Sequence, residues 1–143
     1  MTDRGRRSIG LDVGERRIGV AIGDETGMVA SPLTMVENDE TALDSLVGLI
    51  AETQAGVVVV GLPTGMSGRE GPQAAVTRRF TEVLEGRLGA DVAVHLWDER
   101  LTSAIADRVL DDRKVKANKR KGERDAIAAA VILQSWLDSR RRR

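Results

Sequence analysis

The chain has 143 residues, the size of one domain, with 41% hydrophobic side chains, aromatics only at Phe80, Trp97 and Trp136, and 22 basic residues against 22 acidic ones. The lack of cysteine excludes a disulfide framework and any thiolate metal site, and a single histidine argues against a zinc centre or a Ser-His-Asp triad. No apolar run approaches the roughly 20 residues that span a bilayer, and no apolar stretch follows the basic start. A soluble cytoplasmic protein with no membrane partner is expected.

Ile9, Leu11 and Val13 alternate with Gly10, Asp12 and Gly14, which predicts a first strand. After the tight connection 15–17, Ile18, Val20 and Ile22 alternate with Gly19, Ala21 and Gly23 in a second. Residues 24–27 read as a turn and 28–36 as a third strand, with Pro32 marking an edge or a bulge. These three strands should form an antiparallel meander.

Helix and strand then alternate. Leu43, Leu46, Val47 and Ile50 have helical spacing, and Val57 to Val60 form a continuous apolar run, as in a strand covered on both faces. Val76, Phe80, Val83, Leu84 and Leu88 predict an amphipathic helix, and residues 92–97 a fifth strand. Ile105, Ala106, Val109 and Leu110 predict a helix capped by Thr102 or Ser103, and a last helix spans about 123–139. Residues 1–143 thus read as one α/β domain with basic disordered tails at 1–7 and 140–143. Its core would be a five-stranded mixed sheet, three antiparallel strands then two parallel, with helices on both faces.

Three acids lie beside apolar sequence, where a bare charge is costly to bury. Asp12 occupies a strand interior, a place where Asp is depleted, and Gly10 and Gly14 on its face read as room for a ligand or metal. A turn hydrogen bond at the hairpin end is the plainer alternative. Glu99 ends the fifth strand beside Asp98, with Arg100 as a partner within reach. Adjacent strand positions face opposite ways, so only one of Asp98 and Glu99 should face a site, and from the residues alone a charged strand-end turn with a helix cap at Thr102 is narrowly the better fit. Asp125 stands in the first turn of the last helix, where the helix dipole favours a carboxylate. The face it shares with Ala128, Ala129 and Ile132 should be buried, aiming it at the strands' carboxyl ends, where such sheets place their sites. Together the three would make an oxygen-rich site for a divalent cation.

Two further groups suit phosphate. Gly14, with Thr64, Gly65, Ser67 and Gly68 of the loop after the fourth strand, offers amides and hydroxyls, although no Gly-Lys-Ser/Thr follows. Arg113, Lys114, Lys116, Lys119, Arg120, Lys121 and Arg124 form a basic run next to Asp125, suited to a nucleic-acid backbone as well as to a solvated loop.

The chain resembles the YqgF (RuvX) family, relatives of Holliday-junction resolvases to which processing of the 5′ end of precursor 16S ribosomal RNA is ascribed. The resemblance rests on Gly10-Leu-Asp-Val-Gly14 with Arg17-Ile-Gly-Val-Ala21, and on Val60-Gly-Leu-Pro63 with Gly68. Asp98-Glu-Arg-Leu-Thr102 follows, then Asp125-Ala-Ile-Ala-Ala129 with Ile132-Leu-Gln134. These pieces occur in order over nearly the whole chain.

The resemblance implies a ribonuclease-H-like fold and selects Glu99 over Asp98. It makes Asp12, Glu99 and Asp125 the catalytic, metal-binding set for one or two Mg²⁺ or Mn²⁺ ions, with Arg100 in support. The implied reaction is phosphodiester hydrolysis in RNA, with structured DNA as the other substrate, by a monomer or homodimer. A branched-DNA resolvase, a non-catalytic nucleic-acid-binding or ribosome-associated module, and an actin-like ATPase, which normally needs two lobes, are the competing expectations. Two departures stand out. Thr64-Gly-Met-Ser67 replaces a Leu-Asn-Met-Asp stretch, and Ala128 stands where resolvases carry a fourth helical carboxylate, which weakens the case for a second ion and for resolvase activity.

Overall fold

β1 (Arg7–Val13), β2 (Arg17–Gly23) and β3 (Ala30–Glu37) form the expected antiparallel meander in a computed structural model that describes residues 7–65, 68–102 and 121–141. The Gly14 amide donates to the Arg17 carbonyl at 2.9 Å and closes the first hairpin. The Asn38 side-chain amide donates to the Gly14 carbonyl at 2.7 Å and ties the end of β3 to that turn. The β2–β3 register slips between Val20 and Ala21, which places Pro32 next to a bulge on an edge strand, where its missing N–H is tolerated.

The chain continues through α1 (Ala42–Thr53), β4 (Ala55–Leu62), α2 (Pro72–Arg87), β5 (Ala93–Asp98), a 3₁₀ turn (Glu99–Thr102) and α3 (Lys121–Arg141). The sheet order is β3-β2-β1-β4-β5, with β4 parallel to β1 and β5 parallel to β4. The helix expected around Ile105 to Leu110, with Ser103 as its other cap, lies outside the described residues. Arg7 opens β1, and Arg140 and Arg141 extend α3 beyond its expected end. The Arg140 guanidinium lies 4.6 Å from the Trp136 ring centre and Arg141 pairs with Asp138, so both have contacts that favour helix over a free tail.

The strands' two faces bury separate cores. Ile9, Leu11, Ile18, Val20, Val58 and Val60 pack against α1 and α2 through Leu46, Ile50 and Leu84. Ala21, Val57 and Val59 pack against α3 through Ala129, Leu133 and Trp136. On this second face α3 lies directly on backbone. A Cβ at Gly10 would come within 2.7 Å of the Leu133 Cβ, and one at Gly19 within 1.9 Å of the Asp125 carbonyl oxygen. The space beside Asp12 that Gly10 promised to a ligand is therefore filled by the helix, and Gly14 serves the turn.

α2 departs from its predicted face. Val76 and Val83 are 56% and 43% exposed, while Thr77 and Thr81 are buried with Ala74 and Leu84. Small side chains let the helix approach the sheet, and the Thr81 hydroxyl is satisfied by donating to the Thr77 carbonyl at 2.7 Å. Among the described residues, no helix is long and apolar enough to cross a membrane.

Candidate active site

Asp12 lies one residue from the end of β1, on the face that α3 covers and directly opposite Gly19 of β2. Glu99 is the first residue after β5 and opens the 3₁₀ turn. Both line one cavity of about 280 Å³, walled by Ile127, Ala128, Val131 and Ile132 of α3 and edged by Thr102 and Arg124. Gly61 at the end of β4 makes the approach feasible, since a Cβ there would lie 3.0 Å from Glu99 Oε1 and 2.5 Å from Ile132 Cδ1.

The electrostatics of this pair are unfavourable as they stand. Burial, and then the Asp125 charge, push the Asp12 carboxyl up to about 6. Burial, then Asp12 and Asp98, push Glu99 up to about 7. Among the described residues no hydrogen bond or ion pair reaches either carboxylate. Two desolvated acids sharing a cavity suit a hard cation.

Asp125 joins this neighbourhood differently. Its backbone is pressed against Gly19, and its carboxylate accepts a hydrogen bond from Arg17 Nε at 2.6 Å. Among the described residues, no three Asp, Glu, His or Cys side chains are grouped closely enough to hold an ion together. The structure thus brings Asp12 and Glu99 into one cavity and sets Asp125 beside it, engaged by Arg17. Sequence reasoning missed Arg17; the available signal was its position two residues before Gly19, on the same face of β2.

Asp98 and Glu99 have separate roles because the strand ends between them. Asp98, the last residue of β5, accepts from the Thr64 hydroxyl at 2.6 Å, from the Arg100 amide at 2.9 Å and from Arg100 Nη2 at 2.7 Å. Arg100, then Thr64, hold its carboxyl well below the usual carboxylate range. Arg100 is thereby tied to Asp98, and its Nη1 lies 3.0 Å from where a Gly68 Cβ would stand. Two of the phosphate-loop candidates, Gly65 and Gly68, have their amides engaged. The Gly65 amide donates to the Arg69 carbonyl at 3.0 Å and the Gly68 amide to the Gly65 carbonyl at 2.8 Å, so these N–H groups are used within the loop.

Of the basic run, Arg124 reaches the cavity and Lys121 begins α3. Arg113, Lys114, Lys116, Lys119, Arg120 and also Ser67 lie outside the described residues. Ala128 lines the cavity where a fourth carboxylate was expected to be missing, so the helix wall there is apolar.

The fold is of ribonuclease-H-like architecture, with two half-buried carboxylates sharing a cavity at the ends of its strands. Among solved structures, the chain is similar to Thermus thermophilus RuvC in complex with a Holliday junction substrate, with a TM-score of 0.62 and 14% identity over 95% of this chain and 96% of that one. It is similar also to the fowlpox virus resolvase bound to Holliday junction DNA, with a TM-score of 0.58 and 12% identity over 93% and 97%. Residues 6–139 match the RuvX family, described as Holliday junction resolvase, and the chain belongs to that family. Proteins named "Putative pre-16S rRNA nuclease" are among its relatives. That of Roseiflexus sp. RS-1 is 43% identical over 143 residues, covering 99% of this chain and 100% of the relative. That of Chloroflexus aggregans is 47% identical over 135 residues, covering 93% and 94%.

Proposed function

We propose that this protein is a divalent-metal-dependent nuclease that acts in the cytoplasm on the 5′ end of precursor 16S ribosomal RNA. The observation that carries the reading is the Asp12–Glu99 pair, two raised carboxyls in one cavity that no hydrogen bond or ion pair reaches among the described residues. The names of relatives above 40% identity support RNA as the substrate.

The donor chemistry fits a hard ion, since carboxylate oxygens are the ligands Mg²⁺ and Mn²⁺ take. Asp12 and Glu99 would hold it, with Asp125 as the third donor. When bound it would supply Lewis-acid polarisation and charge neutralisation at the scissile phosphodiester. The chain's own residues do the rest. Ile127, Val131 and Ile132 form an apolar wall that strengthens electrostatic interactions at the carboxylates. Arg124, at the rim, is placed to grip a backbone phosphate, a contact that positions the strand without reading its sequence. The Asp98–Thr64–Arg100 ties hold the loop after β4 against the turn that carries Glu99.

The test is cleavage of 5′-extended 16S precursor RNA, single-stranded DNA and a four-way junction with Mg²⁺, Mn²⁺ or EDTA. Metal-dependent RNA cleavage that Asp12→Asn abolishes, with cooperative unfolding retained, is expected; unchanged turnover in that variant overturns the reading. The family's description favours a second reading, junction resolution by a homodimer, which would appear as paired, symmetric cuts in the junction arm of the same assay.

A further inference from the structure

The third acid of the set faces a guanidinium instead of the cavity. Arg17 and Asp125 are 108 residues apart in sequence, meet at 2.6 Å, and are only 29% and 27% exposed. Topology enforces the meeting. Arg17 and Gly19 project from the same face of β2, and the missing side chain at Gly19 lets the first turns of α3 settle on the strand, placing Asp125 beside Arg17.

We propose that Arg17 is a positioning residue that keeps the Asp125 carboxylate in reserve, so that a divalent cation first engages Asp12 and Glu99 and gains Asp125 only by displacing Arg17. The inference rests on the metal reading above. Three observations carry it: among the described residues no ion pair reaches Asp12 or Glu99 in their shared cavity, Asp125 has a guanidinium at hydrogen-bond distance, and the three carboxylates are not grouped as a ready-made site. An Arg–carboxylate pair and a metal–carboxylate contact use the same oxygens, so the two cations compete. Fixing Arg17 in the β1–β2 hairpin, whose turn Asn38 ties down, sets how hard Arg17 competes.

The test is Mn²⁺ affinity of the full chain, read by calorimetry and by the electron paramagnetic resonance signal of free Mn²⁺, without substrate. Arg17→Gln should tighten binding about two- to fivefold, the worth of one partly exposed ion pair. Arg17→Lys, which keeps the competing charge, should bind like wild type. The gain should vanish when Asp125→Asn is added. Independently of whether Arg17→Gln folds well, Asp125→Asn alone should weaken Mn²⁺ binding far less than Asp12→Asn does. Wild-type protein that binds no Mn²⁺ would refute the metal reading itself. Binding by wild type that Arg17→Gln leaves unchanged or weakens, a gain that persists with Asp125→Asn, or an Asp125→Asn loss equal to that of Asp12→Asn would overturn the role of Arg17 while leaving the metal reading standing.

Discussion

Asp12 stands directly across the β1–β2 ladder from Gly19, and the carbonyl of Asp125 fills the space where a Gly19 side chain would be. One hydrogen atom at position 19 therefore sets how closely α3 approaches Asp12. Gly19→Ala should force the helix outward and cost about 1–3 kcal/mol by overpacking, measured by denaturant unfolding, and should lower cleavage as well. Gly48→Ala is the control: it lies in α1 with nothing within 4 Å of its would-be Cβ, and should stabilise by about 0.5–1 kcal/mol.

The acid pair makes a pH prediction. Asp12 titrates near 6 and Glu99 near 7 in the folded chain, both above their ordinary values of 3.8 and 4.5. The folded state thus binds more protons than the unfolded one in this window. Their contribution to stability is full below about pH 4 and is lost as the pH rises through 6 and 7. In metal-free buffer at pH 8, Asp12→Asn should be more stable than wild type by about 1–2 kcal/mol after allowance for partial exposure, and nearly equal to it at pH 4. Saturating Mn²⁺ should raise the melting temperature of wild type and leave that of the variant unmoved.

Asp98 and Glu99 should separate cleanly. Asp98→Asn breaks the ties to Thr64 and Arg100 and should cost about 0.5–1.5 kcal/mol of stability with partial loss of turnover. Because its carboxyl lies below the usual range, the stability it adds is present at neutral pH and lost only on acidification below the unfolded carboxylate range. Glu99→Gln should leave the fold intact and remove turnover. Kinetics and melting curves of the two variants check the assignment.

Thr77 offers a test of the repositioned α2. Its hydroxyl is buried and has no hydrogen-bond partner among the described residues, so Thr77→Val should stabilise by about 1 kcal/mol, whereas Val76→Lys on the exposed face should change little.

The β-strands were legible because period-two alternation is a local property, and the apolar Val57 to Val60 run announced a strand with helices on both sides. The face of α2 was not, because Val76 and Val83 look like core by hydrophobicity while Thr77 and Thr81 are buried for their size. Gly10 was read as space for a ligand, but glycine marks a close approach without saying what approaches, and here it is α3. Alternation alone left Asp98 and Glu99 unresolved, since the change from strand to 3₁₀ turn falls between them. The Arg17–Asp125 pair joins residues from opposite ends of the chain, which only the folded sheet brings together.

The most direct test of the central claim is single-turnover cleavage of 5′-extended 16S precursor RNA by wild type, Glu99→Gln and Asp98→Asn, each with Mn²⁺ and with EDTA. The account predicts Mn²⁺-dependent cleavage by wild type, reduced but measurable cleavage by Asp98→Asn, and none by Glu99→Gln. Cleavage by Glu99→Gln at the wild-type rate, or wild-type cleavage that survives EDTA, would contradict it.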